Sequence, residues 1–466
     1  MITLRRRGWE NTFFRRAGIG FEGVDMSAAV QSGKKATGLP RDVVVVAGLR
    51  TPLGKAGGAF DKLGAVELGS MAMRELLARS PVSSDDIDQV ILGNVIQPAE
   101  ASNIARVIAL TAGVPQQVPA HTVHRNCASG MQAITDAAEK IQLGRADVVL
   151  AGGVESMTHA PLLFDDRFRA AMAKWPRAKA LPQKLSVLAE LARAPWKPRI
   201  ALLEGLTDPT VGMGMGQTAE LLAREFGVTR AEQDAYALMS HQRAAAGWSD
   251  GWFDDEVMHL FAPPSYADVH RDEGIRAGQT LQALAKLKPA FDRPLGSVTA
   301  GNSSQITDGA AMLILSHREK AEAEGWPIMG YLRDWAYTGC DPARMGLGPV
   351  FATHRLLASG GLSMSDITRM EINEAFAVQV LACLKAMESE AFAAEQLGGK
   401  PIGVPDMDRL NVHGGAVAIG HPVGVSGARL VLTLLGQLQK DTGGGLGVAT
   451  LCIGGGQGGA MLLEGC

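Results

Sequence analysis

Short runs of consecutive apolar residues, separated by stretches of helical periodicity, constrain the fold of this chain more than any other feature. The first run reads DVVVVA, and runs of this kind begin at Asp42, Asp88 and Ala146. Amphipathic patterns typical of helices begin at Ala65, Asn103 and Met131. A strand that no polar residue interrupts is buried on both faces. Such strands, alternating with helices, predict a layered α/β fold.

The alternation is interrupted once, and this predicts the domain organisation. It breaks from about residue 161 to 290 and returns at Gly309, after which GYLRDWAYTG, ITRMEI and GLGVATLCI again read as strands. We predict two α/β halves, at residues 41–160 with 291–320 and at residues 321–466. Residues 161–290 would form an inserted, mostly helical loop domain, and residues 1–40 a flexible N-terminal extension.

The two halves are also similar in where they place a cysteine. Each has a strand followed by a cysteine in a glycine-containing turn, at Cys127 and at Cys452. If the halves are duplicates, this symmetry brings the two cysteines to one central interface. Chance similarity is the alternative.

The segment HTVHRNCASGMQA, from His121 to Ala133, allows three interpretations of Cys127. Free cysteine is often a buried core residue. The spacing of His121, His124 and Cys127 also permits a metal site. The third interpretation is a nucleophile before a helix, where backbone amides and the helix dipole favour a thiolate. Gly130 predicts a tight turn just after the cysteine.

Composition excludes several classes of protein. The net charge of −3 over 466 residues provides no strong basic field for nucleic acid, and no apolar run is long enough to span a bilayer. The five cysteines are odd in number and far apart, which favours a reducing compartment. We expect a cytoplasmic protein, with the mitochondrial matrix as the alternative, because the arginine-rich start also contains acidic residues.

Four segments together resemble the active-site blocks of the thiolase family. They are NCASGMQA around Cys127, NEAFA from Asn373, NVHGGAVAIGHPVGVSGAR from Asn411 and CIGGGQGGAM from Cys452. The resemblance extends from about residue 41 to 464 and implies a five-layered αβαβα fold. It also implies CoA-dependent cleavage of 3-ketoacyl-CoA to acetyl-CoA and a shortened acyl-CoA, with the reverse Claisen condensation, by a ping-pong acyl-cysteine mechanism. CoA is then a substrate, and neither a metal nor another cofactor is expected.

The resemblance assigns a role to each of five residues. Cys127 is the nucleophile, and His421 accepts its proton and holds the thioester oxygen. Cys452 moves a proton at the α-carbon. One oxyanion hole consists of His421 with a water held by Asn373, and the other of the backbone N–H groups of Cys127 and Gly454. Glycine at 454 leaves room for the acyl oxygen.

Further positions match residues that line the pantetheine channel in the family. They are Met215, Phe291, Ala300, Ser304, Ala375 and Phe376. His121 and His124 are then structural, and His413 is structural or lines the site. The loop GGGQGG lacks a following βαβ unit and is not a dinucleotide site.

Rival functions remain for the same resemblance. An acetoacetyl-CoA-forming biosynthetic enzyme has the same chemistry, and a non-catalytic acyl-CoA-binding relative would have lost catalytic residues. A ketosynthase is disfavoured by Cys452. As partners we expect a second copy of the chain, in a homodimer or homotetramer, and we keep open a hydratase/dehydrogenase subunit.

Residues 163–200 resemble a basic insertion found in the β-subunit of the trifunctional fatty-acid oxidation complex. The basic positions are Arg167, Arg169, Lys174, Arg177, Lys179 and Lys184, and the apolar positions Leu181, Leu185, Val187, Leu188 and Leu191 are spaced as on an amphipathic helix. Two interpretations stay open, an ordinary packed helix and a peripheral membrane or partner contact. The insertion is expected to lie away from Cys127.

Overall fold

A ten-stranded mixed sheet organises residues 41–466, which are the residues that the computed structural model describes. The predicted extension over residues 1–40 lies outside this part of the chain. The strands are β1 Val43–Arg50, β2 Gly54–Lys55, β3 Gln89–Gly93, β4 Ala120–Val123, β5 Val148–Glu155, β6 Leu162–Leu163, β7 Arg199–Ile200, β8 Thr207–Asp208, β9 Met213–Gly214, β10 Leu260–Ala262, β11 Ala267–Val269, β12 Thr307–His317, β13 Gly330–Gly339, β14 Ile367–Ile372, β15 Gly445–Ile453 and β16 Gln457–Gly465.

Helices connect and cover these strands. They are α1 Ala65–Arg79, α2 Ile104–Ala112, α3 Ser129–Gln142, α4 Asp166–Lys174, α5 Leu181–Arg193, α6 Ala201–Gly205, α7 Met215–Glu225, α8 Arg230–Ser249, α9 Leu281–Ala285, α10 Arg318–Ala323, α11 Gly348–Gly360, α12 Ala377–Glu388, α13 Glu390–Phe392, α14 Ala416–Ile419 and α15 Ser426–Lys440. Among the described residues, no helix has both the length and the apolarity to cross a membrane.

The sheet repeats one topology. Its order is β14-β15-β16-β13-β1-β12-β5-β3-β4, with β2 paired to β12. From β1 to β12 to β5 the pairs are antiparallel, and from β5 to β3 to β4 they are parallel. From β13 the same senses follow through β16, β15 and β14, and a parallel bridge between Met370 and Leu410 stands where β4 stands in the first half. The two halves join where β1 pairs with β13.

Alternate faces of the strands are buried against different helices. In β1, Val44 and Val46 pack with α1 and α2, whereas Val43 and Val45 pack in the cluster that contains α3 and α15. The other face of the second half packs on α11 and α12. The result is five layers, with α3 and α15 in the middle. Burial on both faces explains why these strands read as unbroken apolar runs, and the predicted fold class is confirmed.

Two glycines let the central helices approach each other, which corrects the prediction of a turn at Gly130. Gly130 lies inside α3, where an added Cβ would stand 2.9 Å from the backbone nitrogen of Ala428. Gly427 in α15 is the counterpart, because its Cβ would stand 2.6 Å from the backbone nitrogen of Met131. The left-handed residue next to the cysteine is Asn126, with φ of 44°.

The repeated topology also corrects the proposed correspondence of the two cysteines. Cys127 follows β4, whereas Cys452 lies within β15, and the strand of the first half that matches β15 is β5. The cysteines therefore come from non-equivalent positions. The error arose because glycine-containing turns follow strands at several places in this chain.

The interruption between β5 and β12 contains a separate helical hairpin, α4 and α5. Its small core consists of Ala171, Ala178, Val187 and Leu191, with Phe168 against it. Three of the five leucine and valine positions predicted on one amphipathic face are instead exposed: Leu181 (70%), Leu185 (56%) and Leu188 (47%). The helix exists as predicted, but most of its apolar face is open to solvent. The domain boundaries drawn from the sequence remain a prediction.

Candidate active site

Cys127 lies in a cavity of about 550 Å³. Its polar rim includes His124, Asn126 and the backbone of Gly454 and Gly455. Gln97, Glu204, Thr207 and Asp208 add polar groups, and the apolar members of the wall are Val95, Ile96, Met157, Pro161, Ala201, Leu202, Leu206, Pro209, Met215 and Val423. An apolar cavity with a few polar groups beside a thiol suits an acyl chain attached to a reactive carbonyl.

The inserted segment at residues 161–290, called the excursion from here on, provides one side of this cavity. Pro161 lies just before β6, the residues from Ala201 to Pro209 follow β7, and β6 pairs with β7. No residue from 163 to 200 lines the cavity, whereas the stem that flanks this insertion, Pro161 and the residues from Ala201 to Pro209, is part of the wall. The α4–α5 hairpin beyond the β6–β7 pair contributes no lining residue.

The backbone before α3 presents Cys127 to the cavity. Asn126 adopts a left-handed conformation, and its side-chain amide donates to the carbonyl oxygen of Gly454 at 2.7 Å. This bond connects the loop that carries Cys127 to the turn after β15. Burial raises the pKa of the Cys127 thiol, while the N–H groups of Gly454 and of Cys127 itself lower it and the carboxylate of Glu155 raises it. The backbone N–H groups therefore act in the direction expected of a thiol just before a helix, and burial outweighs them.

His421 is held in one tautomer by a serine. Ser426 Oγ donates to the carbonyl oxygen of Pro422 at 3.1 Å. A hydroxyl has one proton, so Ser426 accepts from His421 Nδ1, which lies 2.5 Å away. Nε2 is then the basic nitrogen, and the Asn373 amide group lies 3.4 Å from it. Burial, with Arg429 as the second cause, lowers the pKa of His421 to about 4. The imidazole is neutral near pH 7 and can accept a proton.

Asn373 is fully buried at the end of β14, and its backbone N–H donates to Thr450 at 2.9 Å. Its Oδ1 atom has no hydrogen-bond partner among the described residues. A buried amide oxygen without a partner is costly unless water or a ligand satisfies it. This supports the interpretation that Asn373 holds a water molecule beside His421.

Cys452 lies one residue before the end of β15 and is 1% exposed. Burial raises the pKa of its thiol well above the ordinary value, and the neighbouring sulfur of Cys127 is the second cause. The two sulfurs therefore share one region even though they come from different halves. Cys452 rests as a thiol, which can donate a proton.

The three glycines after Cys452 have different physical requirements. Gly455 and Gly456 have φ values of 89° and 76°, and a Cβ on Gly456 would stand 2.4 Å from the carbonyl oxygen of Cys340. Gly454 has no such constraint, since the nearest protein atom to its Cβ would be Met215 Sδ at 3.5 Å. Because Gly454 lines the cavity, a side chain there would occupy substrate space. The turn connects the antiparallel strands β15 and β16, so no βα unit follows it.

Two buried carboxylates organise the loops of the site, and sequence reasoning missed both. Glu155 accepts from the side chain of Asn94 and from the backbone N–H groups of Val95, Ile96 and Gly424, at 2.9–3.1 Å. It connects the cavity wall to the His421 loop. Burial raises the pKa of Glu155 to about 7, and the backbone donors act in the opposite direction.

Glu374 plays the same part for the loop that begins at Asn411. It accepts from Tyr236, Ser240 and Asn411 and from the backbone N–H of Val417, at 2.7–3.1 Å. The partners come from α8, from the loop after β14 and from α14, at distances along the chain that no local motif spans. The buried carboxylates in GGVES and NEAF were the available signal.

Five of the six residues predicted to line the pantetheine channel lie in one region, and Ala300 is the exception. The ring of Phe291 stands edge-on to Phe376 at 5.9 Å and lies over Gly216, which follows Met215. Ser304 donates its backbone N–H to Ala375 at 3.0 Å. Met215 packs against the cluster that contains Ala375, Phe376 and Cys452. Ala300 is exposed in the turn after Val298.

The three other histidines considered in the sequence analysis, His121, His124 and His413, differ in whether they line the cavity. His121 Nδ1 is 3.1 Å from the Gln89 amide, and burial lowers the pKa of His121. His124, which we expected to be structural, is exposed on the cavity rim. His413 stacks on Trp252 at 4.0 Å and bonds Asp441 at 2.8 Å, and it is absent from the cavity wall.

Comparison with known proteins identifies related sequences and structures. The models of the thiolase N-terminal and C-terminal domains match residues 43–319 and 326–465. A 3-ketoacyl-CoA thiolase of Yersinia pestis (strain Pestoides F) is 42% identical over 424 residues, which are 91% of this chain and 96% of that protein.

Solved structures of the same fold cover most of the chain. The acetyl-CoA acetyltransferase of Bacillus anthracis superposes with a TM-score of 0.79 at 37% identity, covering 92% of this chain and 100% of that one. Human mitochondrial 3-ketoacyl-CoA thiolase in complex with CoA has a TM-score of 0.79 at 35% identity, covering 91% and 98%.

Proposed function

This chain belongs to the thiolase family, and on that premise we propose how it cleaves 3-ketoacyl-CoA with CoA to form acetyl-CoA and a shortened acyl-CoA. The observation that carries the proposal is the placement of Cys127. Its sulfur lies in an apolar cavity, is approached by the backbone N–H of Gly454 and interacts with a second buried thiol at Cys452. The reaction makes the chain an acyltransferase.

In the first half-reaction, His421 Nε2 accepts the proton of Cys127 as its sulfur attacks the 3-keto carbon. The backbone N–H groups of Cys127 and Gly454 stabilise the resulting oxyanion. The bond between the α-carbon and the former keto carbon then breaks, and the acyl group stays on sulfur. Cys452 donates its proton to the α-carbon of the departing acetyl-CoA, whose enolate oxygen is held by His421 and the water on Asn373.

In the second half-reaction, the Cys452 thiolate left by the first takes the proton of the CoA thiol, and the CoA sulfur attacks the thioester carbon. The tetrahedral oxyanion again lies at the N–H groups of Cys127 and Gly454. Its collapse breaks the bond to the Cys127 sulfur and releases acyl-CoA, and the protonated His421 returns its proton to that sulfur. A neutral His421 suits both halves, because it alternates between accepting and donating the same proton.

The proposal is tested by mass spectrometry, before and after proteolysis, of the protein mixed with a 3-ketoacyl-CoA in the absence of CoA. An acyl adduct on the peptide that contains Cys127 is expected, with release of acetyl-CoA. Free CoA should then discharge the adduct. An adduct confined to other cysteines would contradict the mechanism.

The cavity also suggests the class of acyl chain. The wall provided by the stem of the excursion includes Leu202 and Leu206, and an acyl chain on Cys127 can lie against them. We expect Leu206→Trp to lower thiolysis of longer chains relative to acetoacetyl-CoA. The matched control is Leu203→Trp, because Leu203 is 58% exposed and is not a lining residue. If both variants keep the parent's ratio of rates for longer chains and acetoacetyl-CoA, Leu206 does not contact the acyl chain.

We propose that the chain works as a homodimer or homotetramer, as thiolase-like assemblies bury large surfaces beside the site. Light scattering at micromolar concentration is the test, and a monomer would refute it. Association with a hydratase/dehydrogenase subunit is a separate proposal, tested by copurification under native conditions. All five cysteines are unpaired, which supports a reducing compartment; we propose the cytoplasm, with the mitochondrial matrix as the alternative outcome of cell fractionation.

We propose that residues 163–200 bind an anionic membrane surface. The six basic side chains named above are exposed, although Arg169 and Lys174 are engaged with Asp166 and Glu190. Exposed Leu181, Leu185 and Leu188 would lie against the acyl region. Each basic residue near an anionic surface contributes about 1 kcal/mol, screened by salt.

Vesicle cosedimentation at low salt tests the membrane proposal. One variant reverses three unpaired basic residues of the hairpin to Glu: Arg177, Lys179 and Lys184. The matched control reverses three exposed basic residues elsewhere: Arg145, Arg355 and Lys400. Only the first should lose binding to phosphatidylserine vesicles, with thiolysis of acetoacetyl-CoA retained. Equal binding by both variants would refute the proposal.

A further inference from the structure

A hairpin on the excursion carries three metal-ligating side chains on one exposed face. β10 and β11 pair antiparallel, with Leu260 opposite Val269. In this register His259 faces His270 across the ribbon. Asp268 precedes His270 by two residues, so its side chain projects from the same face. Sequence analysis did not find this group, because its members come from both ends of a hairpin rather than from one short motif.

The three side chains converge on a small volume. His259 Nδ1 lies 2.9 and 3.0 Å from the two carboxylate oxygens of Asp268, and His270 Nδ1 lies 3.1 Å from one of them. The two imidazole rings stack with centroids 5.0 Å apart. The ligand atoms all lie within 4.8 Å of one another, and no other group of three within residues 41–466 meets that condition.

The opposite face of the hairpin is fixed in the core. Leu260 and Ala262 are 0% and 4% exposed and belong to the cluster that contains α1 and α2. Just before the hairpin, the backbone N–H of Met258 donates to Arg50 in β1 at 2.9 Å. A face held in this way presents its side chains in a defined arrangement, which metal sites require.

We propose that His259, Asp268 and His270 bind a borderline divalent cation of the Zn²⁺ class. Two imidazole nitrogens and one carboxylate oxygen are the donors that Zn²⁺ prefers, at about 2.0–2.2 Å. The cation would replace the hydrogen bonds that join Asp268 to His259 and His270. Each nitrogen would move away from the carboxylate oxygen by a few tenths of an ångström, which is about the difference between a hydrogen-bond distance and the distance between two ligands of a tetrahedral Zn²⁺. The exposure of the side chains, 59%, 36% and 42%, leaves the fourth position to water.

The site is separate from the thiolysis chemistry. No residue of β10 or β11 lines the cavity around Cys127, so the cation clamps the two strands together and is not part of the reaction. Binding to the folded form alone would raise the melting temperature as the cation concentration rises above its dissociation constant.

Calorimetric titration of the full chain with Zn²⁺ tests the proposal. The variants are His259→Ala and His270→Ala, and the matched control is His413→Ala, which removes a histidine bonded to a single carboxylate. The parent and the control should share one binding event that either hairpin variant weakens by about 100-fold or more, since even outer-shell changes cost 10–100-fold. Melting curves without metal establish that the variants are folded.

Thiol groups are the competing ligands, and Co²⁺ distinguishes them. A site of nitrogen and oxygen donors gives visible d–d bands without the near-ultraviolet charge-transfer band of a cobalt–thiolate bond. We expect such a spectrum in the parent protein and its loss in His259→Ala. Unchanged Zn²⁺ binding in both hairpin variants, a thiolate-type spectrum alone, or no binding by the parent protein would each overturn the proposal.

Discussion

Replacing Ser426 with alanine should slow thiolysis without unfolding the protein. The hydroxyl accepts from His421 Nδ1 at 2.5 Å and is the reason that Nε2 is the basic nitrogen. Without it, a buried N–H has no acceptor, and the imidazolium formed during proton transfer loses a charge-assisted hydrogen bond. Such bonds contribute about 1.5–3 kcal/mol. At about 1.4 kcal/mol per tenfold change in rate, kcat/KM should fall by roughly 10- to 100-fold.

The control is another buried serine with the same local bond. Ser70 in α1 and Ser426 in α15 are both 2% exposed, and each donates to the carbonyl oxygen four residues earlier, at Val66 and Pro422. Only Ser426 contacts a histidine. The assay follows loss of the magnesium–enolate absorbance of acetoacetyl-CoA, with melting temperatures measured in parallel. If Ser426→Ala stays within twofold of the parent, or falls no further than Ser70→Ala, the serine does not position the base.

Three further predictions follow from the site. Cys127→Ala should abolish both the acyl adduct and turnover, whereas Cys452→Ala should leave slow acylation visible by mass spectrometry; normal turnover in both would refute the roles. Gly454→Ala should lose activity, with an unfolding free energy within about 1 kcal/mol of the parent's. Gly456→Ala should lower the unfolding free energy by about 2 kcal/mol or more, because its φ is positive and a carbonyl oxygen lies close by. Chemical denaturation measures both free energies. The pKa of Glu155 rises from 4.5 to about 7 on folding. The folded protein is therefore stabilised at low pH, and up to about 3 kcal/mol of this stability is lost as the pH rises from about 4.5 through 7. Glu155→Gln should reduce the difference in melting temperature between pH 5 and pH 8.

The sequence allowed the fold to be predicted because its strands are buried on both faces. The run beginning at Asp42 corresponds to β1, and the runs near Asp88 and Ala146 correspond to β3 and β5. Helical periodicity located α1 in the same way. Where helices meet each other, the pattern was insufficient: Gly130 has an ordinary helical position, and only the position of α15 explains why it has no side chain.

The candidate site was predictable at the residues that occur in short motifs and not at those that support them. Cys127, His421 and Cys452 stand in recognisable segments, and their assigned roles remain predictions. Ser426, Glu155 and their contacts depend on geometry. Glu155 bonds Gly424, 269 residues away, and no periodicity reports such a contact. The rise in the pKa of Cys127 likewise depends on burial that the sequence does not display.

The reciprocal contact of Gly130 with α15 and of Gly427 with α3 places corresponding positions of the two halves side by side. Each central helix begins with serine followed by glycine, Ser129 in α3 and Ser426 in α15. Two residues before these serines stand Cys127 in one half and Gly424 in the other. Because the topology repeats, corresponding positions in the two halves can hold different residues while both halves keep the same fold. Here one half carries the thiol of Cys127 and the other the imidazole of His421, while the order and the directions of the strands stay the same in both halves.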